Sequence, residues 1–149
     1  MSHIEGLDNI VANLQKAVQT ETAKMNSRVE LAGDVLYDAV RAQASLTDHS
    51  LKDLARLGFP YSKRYPVDHN PHGDDTLVHI QSGTLYNNIE KQSDIGTMRS
   101  SVAVGVSRSK VPYIEDLMVG APRARPRRFI QRAYAEVDLD AVMDGKGRK

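Results

Sequence analysis

The chain has 149 residues, with 20 Lys and Arg against 19 Asp and Glu, no Cys, no Trp, and six Tyr and two Phe as its only aromatics. The missing cysteines exclude a disulfide scaffold, a thiolate zinc site and a cysteine nucleophile. A formal charge of +1 argues against a chain built mainly to coat nucleic acid, whose footprint is overall basicity.

The longest apolar runs, such as Val102-Ala103-Val104, fall far short of the roughly 20 residues that span a bilayer, so no membrane partner is expected. The opening Met-Ser-His-Ile-Glu-Gly lacks the basic-then-apolar order of a secretory signal, and none is expected. The length suits one domain, or one domain with an arm. Within it we read 1–46 as the long helix, 47–75 as a short helix plus extended loop, 76–144 as sheet and C-terminal helix, and 145–149 as a flexible tail.

In the first third, Leu7, Val11, Leu14, Val18, Thr22, Met25, Val29, Ala32, Leu36 and Val40 follow one another at spacings of three and four. That is the single stripe of an amphipathic helix. Running from Leu7 to about Ser45, it would be roughly 58 Å long at 1.5 Å per residue. A compact domain of this size has a diameter of only about 40 Å, so the helix either bends near Gly33 or buries its far end on another subunit. We favour the second, which makes Met25, Val29, Leu36 and Val40 candidate subunit-packing residues.

Thr47 or Asp48 can cap a second helix with Leu51, Leu54 and Leu57 on its apolar face, ended by Gly58 and Pro60. Residues 59–75 follow as a long loop rich in Pro, His and charge, a length expected of functional or mobile connections. Thr76-Leu-Val-His-Ile80 reads as a strand, and Val102, Val104 and Val106 alternate as a half-buried strand should. Leu85 to Lys91 is compatible with a helical turn or a strand. A short helix is expected to begin at Pro112 and stop at Gly120. Pro126 suits the first turn of a final helix carrying Phe129, Ile130, Ala133, Val137 and Val142 and ending near Asp144.

The strongest charge feature is the segment 119–134, with Arg123, Arg125, Arg127, Arg128 and Arg132 and no acid, followed by Glu136, Asp138, Asp140 and Asp144. Arginine forks suit carboxylates or phosphates, so the strip reads as protein docking or DNA contact. The plainer alternative is a solvated loop and helix face with an Arg132–Glu136 pair.

Asp68, His69, His72, Asp74 and Asp75 contain metal-ligating side chains, but their spacing matches no helical ligand pair, and His49 and His79 would have to come from elsewhere. A polar loop is the better reading, and no metal or cofactor is expected. The sequence contains no nucleophile elbow, phosphate loop, His-Glu-x-x-His or dinucleotide fingerprint, so no enzymatic activity is expected.

Three segments in order carry a resemblance. They are Ile4-Glu-Gly-Leu-Asp-Asn-Ile10 opening the long helix; Gln81-Ser-Gly-Thr-Leu85-Tyr-Asn-Asn-Ile89; and Val111-Pro-Tyr113-Ile-Glu115 with Gly120, Ala124-Arg-Pro-Arg-Arg-Phe129-Ile130 and Ala133. Together the chain resembles the neck or tail-completion proteins of tailed bacteriophages, which join head connector to tail. The segment 47–75 is longer than that family's usual link, and Arg127-Arg128 is inserted before Phe129.

The resemblance implies an α+β fold, a small antiparallel β-sheet flanked by a long N-terminal helix and a C-terminal helix, in a virion structural protein at the head–tail junction, assembled in the host cytoplasm. It would form a homo-oligomeric ring, hexameric or alternatively dodecameric, contacting adjacent connector or stopper and tail proteins, with DNA only passively in the channel. It implies Gly83, Leu85, Ile89, Tyr113, Gly120, Pro126 and Phe129 as motif core, with Tyr113 and Phe129 anchoring the C-terminal unit. The arginines of the strip would meet adjacent rings. A tail-terminator ring is the near alternative; a nucleic-acid-binding accessory protein using the Arg strip and the Lys/Arg tail is the rival from another class. A small hydrolase with a His/Asp site at 68–75 is a third.

Overall fold

A computed structural model describes residues 6–45, 83–120 and 126–146. The expected short helix after Thr47, the loop 59–75 with its histidines, the strand Thr76–Ile80, Arg123, Arg125 and the last three residues lie outside the described residues. The rest has a long helix, a two-stranded antiparallel sheet and short helices, an α+β arrangement.

Helix α1 runs Leu7–Gln43, 37 residues without interruption, with Asp8 in its first turn and Arg41 in its last, both favourable to the helix dipole. At 1.5 Å per residue it is about 55 Å long. Its apolar positions repeat after about five turns of 3.6 residues: Leu7, Val11, Leu14 and Val18 are followed by Met25, Val29, Ala32 and Leu36 on the same side. The stripe is continuous, but its covering is not. In the C-terminal half Val29, Ala32, Leu36 and Val40 are buried, whereas in the N-terminal half Val18 is 65% exposed and Leu14 61%.

The cover over the C-terminal half comes from three places. Thr84–Asn87 forms one turn of helix, α2, and leads straight into β1, Ile89–Ile95, so the ambiguous segment is both things in succession. β1 pairs with β2, Ser100–Val106, in antiparallel register from Ile89 opposite Val106 to Ile95 opposite Ser100. Alternation sends Ile89 and Val104 into the core with Leu36, Val40, Ala44 and Leu85.

Helix α3, Ile114–Val119, starts two residues later than Pro112 predicts, and Val111 and Ile114 are buried at its start. Gly83 before α2 and Gly120 after α3 have φ of 77° and 93°, which a side chain would oppose.

The expected single final helix is two. Helix α4, Phe129–Glu136, buries Phe129 and Ala133 against α1. Val137 then turns extended, and Asp138 caps α5, Leu139–Met143, by accepting from the Ala141 amide at 2.9 Å. A short acid just past the first helix offers the backbone a local partner that competes with continuation, and the apolar spacing spans both pieces without revealing the break. Pro126 precedes α4 rather than occupying its first turn.

Gly33 lies inside the uninterrupted helix, at a close contact with the hairpin. A Cβ built there would run into Val102 Cγ2 and approach the Lys91 Cδ at 3.1 Å. The missing side chain lets β2 cross α1 at close range.

Candidate assembly surfaces

The residues expected to pack between subunits lie mostly inside this chain. Leu36 and Val40 belong to its own core, 2% and 0% exposed, and Val29 is buried; Met25 lies at the border, partly exposed. The expected direction is thereby corrected: among the described residues, the hairpin and α4 cover the far half of α1, and the apolar side chains of the near half are exposed. Sequence reasoning missed this because both halves carry the same stripe, and only the tertiary contacts of β1, β2, α4 and α5 distinguish them.

The arginine strip is not a uniform band either. Arg127 is buried at 9% exposure, and its backbone ties α3 to α4: its amide donates to the Leu117 carbonyl at 2.7 Å, and its carbonyl accepts from the Phe129 amide at 2.8 Å. Arg128 is exposed at the start of α4, and Arg132 is half-buried. The acids after the strip have structural roles of their own. Both oxygens of Glu136 accept from Gln43 Nε2 at 2.8 Å, fastening the end of α4 to the end of α1, and Asp138 is the α5 cap.

Of the motif residues, Leu85, Ile89 and Phe129 are in the core, and Gly83 and Gly120 hold positive φ. Pro126 is half-buried. Tyr113 departs from its expected role as an anchor: it is 45% exposed, and the inward positions of its turn go to Val111 and Ile114. Its carbonyl accepts from the Leu117 amide, so its contribution is to the backbone of α3.

Charge fastens the hairpin to the helix. Lys91 of β1 reaches Asp34 at 2.5 Å and Glu30 at 2.9 Å. The hydrogen bond from Lys91, with a second from Ser93, holds the Glu30 carboxyl below its ordinary value; hydrogen bonds to Asp34 and Glu30 hold the Lys91 ammonium above its own. Lys110 pairs with Glu90, and Arg108 with Glu115 at 2.8 Å. At the hairpin tip, Ser100 Oγ donates to Asn26 Oδ1 at 2.6 Å while Asn26 Nδ2 donates to the Gly96 carbonyl at 3.4 Å.

A cluster that the sequence reading did not single out is Tyr37–Arg41–Tyr86. The Arg41 guanidinium lies 4.0 Å from the Tyr86 ring centre, 5.4 Å from that of Tyr37, and donates to the Tyr37 hydroxyl at 3.3 Å. The i,i+4 placement of Tyr37 and Arg41 was the available signal.

Two open concavities, of about 310 and 390 Å³, flank the sheet. The first is lined by Glu90, Gln92 and the Ala103–Ser107 stretch, the second by Asp34, Tyr37 and the start of β1. Their charged groups are those already joined in the lysine pairs. Among the described residues no group of three or more His, Asp or Glu is placed to hold a metal ion, and no helix is long and apolar enough to cross a membrane. Comparison with known proteins returned no family model, curated protein or solved structure that matches this chain.

Proposed function

We propose that the chain is a structural subunit of a tailed-phage neck, a ring component that helps join the head connector to the tail, without catalytic activity. The observation that carries this reading is the overhang of α1. Roughly half its length, about 27 Å from Leu7 to Met25, extends with its apolar stripe uncovered by any other described element. A lone subunit gains nothing from such a stripe in water; a subunit completed by others does. The motif residues give secondary support, because Leu85, Ile89 and Phe129 build one core and Gly83 and Gly120 punctuate it.

Among the strip arginines, Arg128 is the exposed described member available to a neighbouring ring. Arg127 serves the fold. The test is charge reversal at Arg125 and Arg128 together, leaving Arg127 untouched. The variant folds with unchanged urea midpoint, and in a joining assay heads and tails accumulate separately. Normal yields of joined particles would return these arginines to a solvated face and remove the docking role.

A further inference from the structure

Leu7, Ile10, Val11, Leu14, Val18 and Met25 form an exposed apolar stripe on the N-terminal half of α1. We propose that in the free protein this stripe is covered by the same stripe of a second copy, the two helices running antiparallel about a two-fold axis near residue 16.

Direction follows from where the rest of the chain lies. The hairpin and α4 pack on the stripe side of the C-terminal half. Packed helices need axes 8–10 Å apart. Two copies laid parallel on this side would bring their hairpins together before their N-terminal halves touched. Laid antiparallel, the bodies stand at opposite ends, and each uncovered half lies on the other.

The length fits. The uncovered stripe ends at Met25, and the next residue, Asn26, holds the hairpin tip through Ser100 and Gly96. A partner helix laid from Leu7 opposite Met25 to Met25 opposite Leu7 fills the stripe, with Leu14 facing Val18, and stops against that tip.

The tip itself extends the patch, because Ile95 is 41% exposed and Met98 95%. Asp8 of the incoming first turn arrives beside the same tip, where Arg99 is exposed, so opposite charges meet at each end of the pair. Stripe and tip together present eight exposed apolar side chains on each chain, a continuous apolar patch of the kind that marks a protein interface. Because the contact is isologous it closes on itself as a dimer.

This pairing does not depend on the neck reading. A chain that pairs but joins no neck assembly keeps the one and loses the other; a monomer that still joins heads to tails does the reverse.

The experiment uses the full chain, whose lack of cysteine makes introduced ones unambiguous. Light scattering at tens of micromolar should give twice the chain mass. Leu14→Glu with Val18→Glu should raise the dissociation constant by roughly 100-fold or more, leaving the urea midpoint of the core in place. On oxidation, Leu7→Cys mixed with Met25→Cys should form a mixed disulfide, and Leu7→Cys alone should not cross-link. A wild-type monomer at that concentration, or efficient Leu7→Cys self-cross-linking, would overturn the proposal.

Discussion

Replacing Gly33 by alanine puts two physical effects in opposition at one atom. Inside a long helix, alanine is favoured over glycine by about 1 kcal/mol, so on propensity alone the change stabilises. Here the new methyl would overlap Val102 Cγ2 and lie 3.1 Å from Lys91 Cδ and 3.3 Å from Val102 Cβ. The lysine methylene can move aside. Val102 cannot do so easily: it is β-branched, held in β2, and opposite Ser93 in the ladder.

Overpacking of this kind costs about 1–3 kcal/mol, so the net expectation is a loss of about 1 kcal/mol. In a domain of this size that lowers the melting temperature by roughly 2–4 °C. Val102→Ala removes the obstructing methyl, and in that background Gly33→Ala should become neutral or stabilising. The coupling between the two positions is then about 2 kcal/mol. Urea unfolding followed by circular dichroism on the four chains of the cycle measures it. If Gly33→Ala stabilises by a similar amount with and without Val102, the hairpin does not approach the helix there and the close packing of β2 on α1 is wrong.

Phe129→Ala empties the centre of the core and should cost about 3–5 kcal/mol, whereas Tyr113→Ala should stay within about 0.5 kcal/mol; urea midpoints of the two variants separate anchor from surface residue. Asp138→Ala removes the α5 cap and should cost about 1 kcal/mol, read as earlier thermal unfolding. Lys91→Met tests the helix–hairpin ion pairs through pH. Glu30, lowered, contributes above its ordinary 4.5 and loses that contribution as pH falls through its folded value; Lys91, raised, contributes below 10.5 and loses it as pH rises through its folded value. The stability advantage of the native chain over the variant is therefore widest between those limits and narrows at both ends. An advantage independent of pH would assign the effect to packing of the lysine stem.

The extent of α1 could be read from spacing alone, because a stripe from Leu7 to Val40 admits one regular structure. The valines at 102, 104 and 106 likewise announced β2, since alternation has no helical counterpart. What spacing could not convey was which part of the stripe is covered. Val18 and Leu36 occupy the same side of the same helix, and only long-range packing leaves one in water and buries the other.

The break at Val137 escaped for a related reason. Val137 and Val142 both turn inward, so the apolar pattern runs smoothly across an interruption made by a carboxylate cap. Arg127 escaped because a run of arginines reads as a charged surface, whereas here one of them is buried and its backbone links α3 to α4.

The measurement that bears most directly on the neck reading is electron microscopy of the purified chain mixed with the proteins encoded beside it. Closed rings that include this chain and bind a connector or tail component are the expected result. Leu14→Glu with Val18→Glu, which removes the uncovered stripe but leaves the core, should abolish those rings. A chain that stays apart from every such component would contradict the neck assignment, and rings that form unchanged without the stripe would remove the stripe from the ring contact.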